Sequence, residues 1–276
     1  MTGVSNEDVR GFWEKNPVAA AGIDAQPGTR AFYEAFDRIR EADDCEPYVL
    51  SNRIHGYDRS RGLRVLDIGC GNGYVLSRYA RHGAEVHGID LTEAALNLSR
   101  RRFELDGLSG TFTRTDGDSI PFPDDHFDVV CSMGVLHHIK DPSPMIAELR
   151  RVLKPGGQAI LMLYYRNSWK YRVILPLRLV FDPAYRGKSL QQALNMNDGP
   201  DCPLAEVYDR RQVRDLLQGF RDIRFELGQL SWRQLLLVPF LARALAPVLP
   251  PCSRTVFART LGWNLYITAR KPEGRN

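Results

Sequence analysis

The stretch Val65-Leu66-Asp67-Ile68-Gly69-Cys70-Gly71-Asn72-Gly73 decides the fold of this chain. It begins like a buried β-strand, and glycines then occupy alternate positions. Glycine has no Cβ atom, so the backbone of such a turn can pass very close to a ligand. The helix predicted over residues 74–82 would add free N–H groups at its first turn. The pattern therefore predicts a ligand site at the carboxyl edge of a sheet.

Strands and helices alternate along the chain after this stretch. Apolar runs predict further strands over residues 84–89, 110–115, 127–132, 158–164, 221–227 and 263–270. Helical spacing predicts helices over residues 93–106, 143–153 and 209–219. This alternation is typical of an α/β protein with a doubly wound, parallel sheet and helices on both faces.

The segment before the alternating pattern has helical spacing instead. Helices are predicted over residues 6–15, 29–43 and 47–57, and Phe32, Phe36 and Ile39 form one apolar stripe. We therefore divide the chain into an N-terminal helical cap, residues 1–60, and a core, residues 61–276. The core would carry inserts on the substrate side, at about residues 166–208 and 229–260.

Composition and charge exclude several classes of protein. The chain has 276 residues, a net charge of +4 and 43% hydrophobic residues, values that exclude a collagenous or wholly disordered protein. The basic residues are scattered, so we expect no nucleic-acid partner. The five cysteines include no CxxC pair, which argues against a metal site and for a reducing, cytoplasmic location.

The glycine-rich turn differs from the G-x-G-x-x-G fingerprint of dinucleotide-binding proteins, because Tyr74 stands where its third glycine would fall. Asp67 precedes the turn, and a carboxylate there would repel a pyrophosphate but attract a cation. Asp90 ends the next strand, where it could bond ribose hydroxyls, and Asp116 follows the third strand. A nucleoside with a positive group and no phosphate fits this set, and S-adenosylmethionine is such a molecule.

At this point the chain resembles a known family, the class I S-adenosylmethionine-dependent methyltransferases, in their small-molecule, methyltransferase type 11-like branch. The resemblance covers about residues 63–165 and rests on these motifs: VLDIGCGNG (65–73), GID (88–90), DGDSIPFPDDHFD (116–128), VLHHI-x-D (135–141) and LKPGG (153–157). It implies a Rossmann-like methyltransferase fold, with a seven-stranded, mostly parallel sheet whose last strand is antiparallel.

The resemblance also implies roles for individual positions. Asp67 would lie near the methionine amino group, Asp90 would hold the ribose hydroxyls, and Leu91 would contact the adenine, whose edge Asp116 and the Gly117 backbone would bind. The full set of implied cofactor-binding residues is Asp67, Gly69, Cys70, Gly71, Gly73, Asp90, Leu91, Asp116, Gly117 and Ser132. The product of the reaction would be S-adenosylhomocysteine.

Two adjacent histidines are the candidates for catalysis. His137 and His138 follow the fourth strand, near the position where the resemblance places the transferable methyl group. Histidine titrates near neutral pH, so either could remove a proton from the acceptor, His137 being the first choice. The alternative is that one of them is a packing or helix-start residue.

The sequence therefore predicts methyl transfer to a small organic acceptor, through oxygen, nitrogen or carbon. One alternative is a methyltransferase acting on RNA or protein, and another is a protein that binds S-adenosylmethionine for different chemistry. SMGVLHH follows the fourth strand, and it lacks the N/D-P-P-Y/F/W signature of enzymes that methylate amino groups of DNA.

An apolar run over residues 235–249 contains one charged residue, Arg243. Prolines interrupt it, and it lies between two strands that must join one sheet, so a membrane span is disfavoured. It could be an ordinary packed segment, or an insert that covers the substrate or makes a peripheral membrane contact through residues 231–252. A substrate-covering insert would favour an apolar or lipid-like acceptor.

Overall fold

A single sheet organises the protein in a computed structural model that describes residues 4–17, 22–237, 245 and 248–274. Its strands are β1 (Arg64–Ile68), β2 (Glu85–Asp90), β3 (Thr111–Arg114), β4 (Phe127–Met133), β5 (Leu153–Tyr164), β6 (Arg221–Gly228) and β7 (Asn264–Arg270). They lie in the order β3-β2-β1-β4-β5-β7-β6. The first five strands pair in parallel, and β7 is antiparallel to both β5 and β6. The predicted fold class, including the antiparallel last strand, is confirmed.

The strand order places a change of direction at the centre of the sheet. From β1 the chain builds outward through β2 to β3, and it then returns to β4 on the other side of β1. Neighbouring parallel strands diverge there at their carboxyl ends, which leaves a crevice for a ligand. The glycine-rich turn after β1 lies at this point.

Helices flank the sheet and form the segments outside it. The predicted cap, residues 1–60, contains α1 (Asn6–Lys15), α2 (Arg30–Arg40) and α3 (Tyr48–His55), and the predicted core contains α4 (Tyr74–Arg81), α5 (Glu93–Asp106), α6 (Ser143–Val152) and α9 (Arg210–Leu216). The insert over residues 166–208 contains α7 (Leu175–Phe181) and α8 (Leu190–Asn195), and the last insert contains α10 (Trp232–Leu236) and α11 (Val256–Leu261).

Helix α2 attaches the cap to the core through one face. Thr29 caps its first turn by accepting the N–H of Phe32, at 3.3 Å. Phe32 is fully buried and Phe36 nearly so, as predicted, but Ile39 is 53% exposed. The prediction that Ile39 continues the buried stripe is wrong, because the core ends before the last turn of the helix.

Strand β5 begins five residues before the predicted start at residue 158. Phe127 of β4 pairs with Leu153, and Val129 pairs with Gln158, so the intervening residues bulge out of the ladder. The bulge is the turn around Pro155 and Gly156, whose φ of +77° suits glycine. The sequence predicted the turn at Pro155 and Gly156, but not the pairing of Leu153 with Phe127 that precedes it.

The apolar run over residues 235–249 lies mostly outside the described residues, so the predicted lid or membrane contact there is not addressed by the structure. Its flanks are α10 on one side and the short helical turn Cys252–Arg254 on the other. Among the residues that the structure describes, no helix combines the length and the hydropathy needed to cross a membrane.

Candidate active site

The turn after β1 is built from glycines in a left-handed conformation. Gly69, Gly71 and Gly73 have φ angles of +72°, +56° and +75°. Space is a second constraint at Gly69, where an added Cβ would lie 2.3 Å from Cγ2 of Val135. Another residue at Gly69 would therefore be strained and would collide with the loop that follows β4.

The end of β2 is tied to this turn through a carboxylate. Asp90 Oδ2 accepts the N–H of Gly71 at 3.1 Å, and its Oδ1 accepts the N–H and the hydroxyl of Thr92 at 3.0 and 2.9 Å. Burial raises the pKa of Asp90 above its ordinary value of 3.8, and these hydrogen bonds oppose the rise. Asp90 thus lies at the crevice as a carboxylate with a fixed orientation.

Two buried polar groups beside this turn have no hydrogen-bond partner among the described residues. They are Oδ1 of Asp67, whose residue is 2% exposed, and the hydroxyl of Ser132, which is fully buried. Burial, and then the charge of Asp90, raises the pKa of Asp67 well above 3.8. Buried polar groups are usually paired, so these two point to a missing polar partner.

An open cavity of about 890 Å³, mouth included, lies at the carboxyl ends of β1, β2 and β4. Of the residues predicted to form the site, it is lined by Gly69, Asp90, Leu91, Gly117 and His138. The remaining predicted residues do not line it: Asp67, Cys70, Gly71, Gly73, Asp116, Ser132 and His137. Of these, Asp116 is exposed and lines a neighbouring groove together with Leu91.

Helix α1 forms one wall of the cavity, through Asn6, Val9 and Trp13. It is held against α5, because the Glu14 carboxylate accepts the backbone N–H groups of Glu93 and Ala94, at 3.1 and 3.2 Å. From the sequence, the aromatic residues of the cap, Trp13 among them, are candidates for lining an apolar substrate pocket. Nothing local in the sequence indicates that Asn6 and Val9 belong to the site.

The two adjacent histidines lie in different surroundings. His138 lines the cavity, packs against Trp13 with ring centroids 5.0 Å apart, and pairs Nδ1 with the Leu204 carbonyl at 2.5 Å. His137 is fully buried, its ring lies 3.8 Å from that of Tyr164, and neither ring nitrogen has a partner among the described residues. Burial lowers the pKa of both rings, so both are neutral at neutral pH.

Beside His138, the first insert contributes two polar side chains. A ring nitrogen of His138, a carboxylate oxygen of Asp198 and Sγ of Cys202 all lie within 4.8 Å of one another. Asp198 also accepts the Tyr164 hydroxyl at 2.6 Å, and burial raises the pKa of the Cys202 thiol to about 12. The thiol is therefore protonated near neutral pH. No spacing motif could have revealed this cluster, because His138 lies far in the sequence from Asp198 and Cys202.

Comparison with known proteins agrees with this geometry. The family model described as "Methyltransferase domain" matches residues 66–161, from β1 into β5. The ubiquinone biosynthesis O-methyltransferase of Ruegeria pomeroyi is 38% identical over 148 residues, which are 51% of this chain and 60% of that protein. Residues 66–161 carry a methyltransferase domain of the class I, S-adenosylmethionine-dependent type. The chain spans about 60% of the length of this curated relative.

Solved structures show that the methyltransferase fold extends over nearly the whole chain. Phosphoethanolamine N-methyltransferase 2 of Haemonchus contortus superimposes with a TM-score of 0.62 at 18% identity, covering 98% of this chain and 61% of that one. The [4+2]-cyclase SpnF superimposes with a TM-score of 0.59 at 20% identity, covering 99% and 98%. At such identities the likeness concerns the fold.

The residues of this methyltransferase domain fit the cofactor of its family, S-adenosylmethionine. The unpaired oxygen of Asp67 is a suitable acceptor for an ammonium group. Because Gly69 has no Cβ, Val135 packs directly against the turn, and both residues line the cavity. Both carboxylates, Asp67 and Asp90, are more stable as anions when a cation is bound nearby.

Proposed function

We propose that this protein transfers a methyl group from S-adenosylmethionine to a hydroxyl oxygen of a small, largely apolar acceptor. The observation that carries the proposal is the cavity itself, where the glycine-rich turn, Asp90 and the neutral ring of His138 face one space. The matched relative from Ruegeria pomeroyi is named for O-methylation in ubiquinone biosynthesis, which supports an oxygen acceptor of lipid-like character.

In this proposal the predicted cofactor residues act as a set. Asp67 accepts the methionine ammonium, Asp90 holds the ribose hydroxyls, and Leu91, Asp116 and Gly117 contact the adenine. The rest of the glycine-rich turn, with Cys70, and Ser132 complete the site. When bound, the cofactor supplies a methyl group already activated on a sulfonium. The chain's own task is then to orient the acceptor and to remove its proton.

His138 is the residue that we assign to proton removal. The Nδ1 position of its ring is paired with the Leu204 carbonyl, so the neutral ring donates there and Nε2 keeps the lone pair. Its lowered pKa keeps the ring unprotonated near neutral pH, as a base requires. His137 has no such partner among the described residues and does not line the cavity, so we assign it a packing role beside Tyr164.

The proposal also assigns separate roles to the cap and to the first insert. The cap, residues 1–60, covers the cofactor with α1, and the insert over residues 166–208 bounds the acceptor, because Asp198 and Cys202 lie beside His138. The cavity wall formed by Trp13, Val135, Ile139 and Met145 is apolar, which favours an acceptor with an apolar body.

The test has two stages. Titration calorimetry with S-adenosylhomocysteine measures cofactor binding, and we expect saturable binding that the Asp90→Ala change weakens. A panel of phenols and catechols with apolar tails of increasing length is then assayed for methyl transfer. We expect O-methylated products and a kcat/KM that rises with tail length. Two outcomes would refute the proposed reaction, given that the cofactor binds. In one, methyl groups are transferred only to RNA or protein, and in the other, no acceptor is methylated.

A further inference from the structure

A second cavity, of about 620 Å³ with its mouth, lies within the first insert. A π-helical turn, Lys170–Ile174, forms one side of it and continues into α7. The polar residues of its lining are Lys170, Tyr171, Arg178, Tyr185, Asn197 and Gln234. Turns of π-helix are rare and often occur at functional sites, so the cavity calls for a chemical explanation.

Two basic residues, Lys170 and Arg178, line the cavity, and no carboxylate does. Burial lowers the pKa of Lys170 to about 7, and the charge of the nearby Asp198 opposes that fall. Within the described ranges, neither Lys170 nor Arg178 has a carboxylate oxygen within 4.0 Å, and the residues outside those ranges include no Asp or Glu. The Lys170 ammonium bonds the Asn197 amide oxygen and lies 3.3 Å from the centre of the Trp263 ring. A neighbouring acid, Asp198, already accepts the Tyr164 hydroxyl.

Hydrogen-bond donors without a protein partner also line this cavity. The hydroxyl of Tyr171 is buried without a partner among the described residues, and Tyr171 is 7% exposed. Arg178 Nη1 donates to the Tyr185 hydroxyl at 3.2 Å, which leaves other guanidinium N–H groups free for a ligand. An ammonium, a guanidinium and a phenol at one cavity match a ligand that accepts several hydrogen bonds and carries negative charge.

We propose that this cavity binds an anionic group, a carboxylate or a phosphate, held by Lys170 and Arg178 with the Tyr171 hydroxyl. It is distinct from the cofactor cavity, because the two cavities share no lining residue. The anion is either an acidic substituent of the acceptor or a separate small anion. The existence of the site does not depend on the proposed methyl transfer.

The first experiment measures anion binding directly, on the full chain. Inorganic phosphate and benzoate are titrated by calorimetry into the wild type and into Lys170→Met, Arg178→Met and Tyr171→Phe. We expect saturable binding of at least one anion, weakened tenfold or more in each cation variant and a few-fold in Tyr171→Phe. Arg172→Met is the matched control, because Arg172 lies in the same π-helical turn, is exposed and bonds Asn167 instead of lining the cavity.

Two outcomes overturn the proposal: no saturable binding of either anion, or equal binding in the wild type and both cation variants. Folding is checked by S-adenosylhomocysteine binding and by thermal melting. Lys170→Met loses the contacts with Asn197 and Trp263 but keeps an unbranched side chain of similar length, so it is expected to fold. Should Arg178→Met fail to fold, Arg178→Gln keeps the side chain's polar end and tests the same charge.

The source of the anion is assigned by competition. With an acceptor that the enzyme methylates and that carries an acidic group, phosphate raises the acceptor's KM without changing kcat if both occupy the cavity. If phosphate instead binds equally well at saturating acceptor, the anion is a separate ligand. Both results support the site, and neither requires that the methyl acceptor proposed above be correct, because phosphate binding is read by calorimetry.

Discussion

The carboxylate of Asp90 accepts the backbone N–H of Gly71 at 3.1 Å, so the end of β2 fixes the glycine-rich turn that follows β1. The same carboxylate bonds Thr92, the first residue of the segment that leads into α5. One side chain thus joins the two strand ends that border the cofactor cavity. Its removal should disturb both the ligand contact and the geometry of the turn.

We expect Asp90→Asn to weaken S-adenosylmethionine binding by about 1–3 kcal/mol, the range for losing a buried hydrogen-bonding partner. The amide cannot accept at both ends, so either the Gly71 or the Thr92 contact is lost. Glu85→Gln, at the other end of β2, is the matched control, because its exposed carboxylate pairs with Arg64 far from the cavity. Calorimetry of both variants checks this, and equal affinities would contradict the role of Asp90.

The turn itself can be tested with a pair of glycines. Gly69→Ala should abolish cofactor binding, because its Cβ would lie 2.3 Å from Val135. Gly62→Ala is the control: Gly62 has a similar φ of +75°, but an added Cβ there meets nothing within 4 Å. Both variants carry the strain of a left-handed alanine, so only Gly69→Ala should lose affinity beyond what a lowered Tm explains. Equal losses would assign the effect to strain alone.

Asp67 should reduce the stability of the ligand-free protein. Its folded-state pKa is raised well above 3.8, so the ionised form is disfavoured in the native state. The resulting loss of folding stability is fully present above the folded-state pKa of Asp67. It disappears below the pKa of an aspartate in the unfolded chain, about 3.9. Asp67→Asn should therefore raise Tm at pH 7 in the absence of ligand.

The gain from Asp67→Asn should shrink as the pH falls towards 4, where the wild-type carboxyl is also protonated. The same variant should bind S-adenosylmethionine more weakly at pH 7, since the amide offers no charge to the ammonium. Melting curves from pH 4 to pH 8, with and without cofactor, measure both effects. A variant that is less stable than the wild type at pH 7 without ligand would contradict the raised pKa.

The assignment of the base predicts a pH profile. Because burial lowers the pKa of His138 below 6.5, the wild-type kcat/KM should be flat near neutral pH and fall only at lower pH. His138→Gln should lower the rate by roughly 10²-fold and remove the dependence on that ionisation. His137→Phe should keep the acidic limb, since its ring packs on Tyr164 behind the cavity. If the acidic limb of the kcat/KM profile disappears in His137→Phe and remains in His138→Gln, the base is His137 and not His138.

Local sequence patterns predicted much of the cofactor half of the protein. The strand, the glycines and Asp90 occupy consecutive or nearly consecutive elements, so their spacing alone placed them at one sheet edge. The antiparallel direction of β7 also followed, through the family resemblance. Ile39 was misjudged because periodicity shows which residues share a helix face but not where the core beneath that face ends.

The sequence by itself determined the sheet, the turn and the acidic residues around it, because each depends on residues close together in the chain. Only the tertiary structure decided that α1 covers the cavity, that His138 rather than His137 lines it, and that Asp198 and Cys202 stand beside His138. It also brought Lys170 and Arg178 to one cavity whose described lining holds no carboxylate. The contacts around the cofactor cavity join segments distant in sequence, and packing between such segments leaves no periodic signal in the chain. Lys170 and Arg178 lie on one continuous helical segment, but the sequence does not show that a cavity opens beside them.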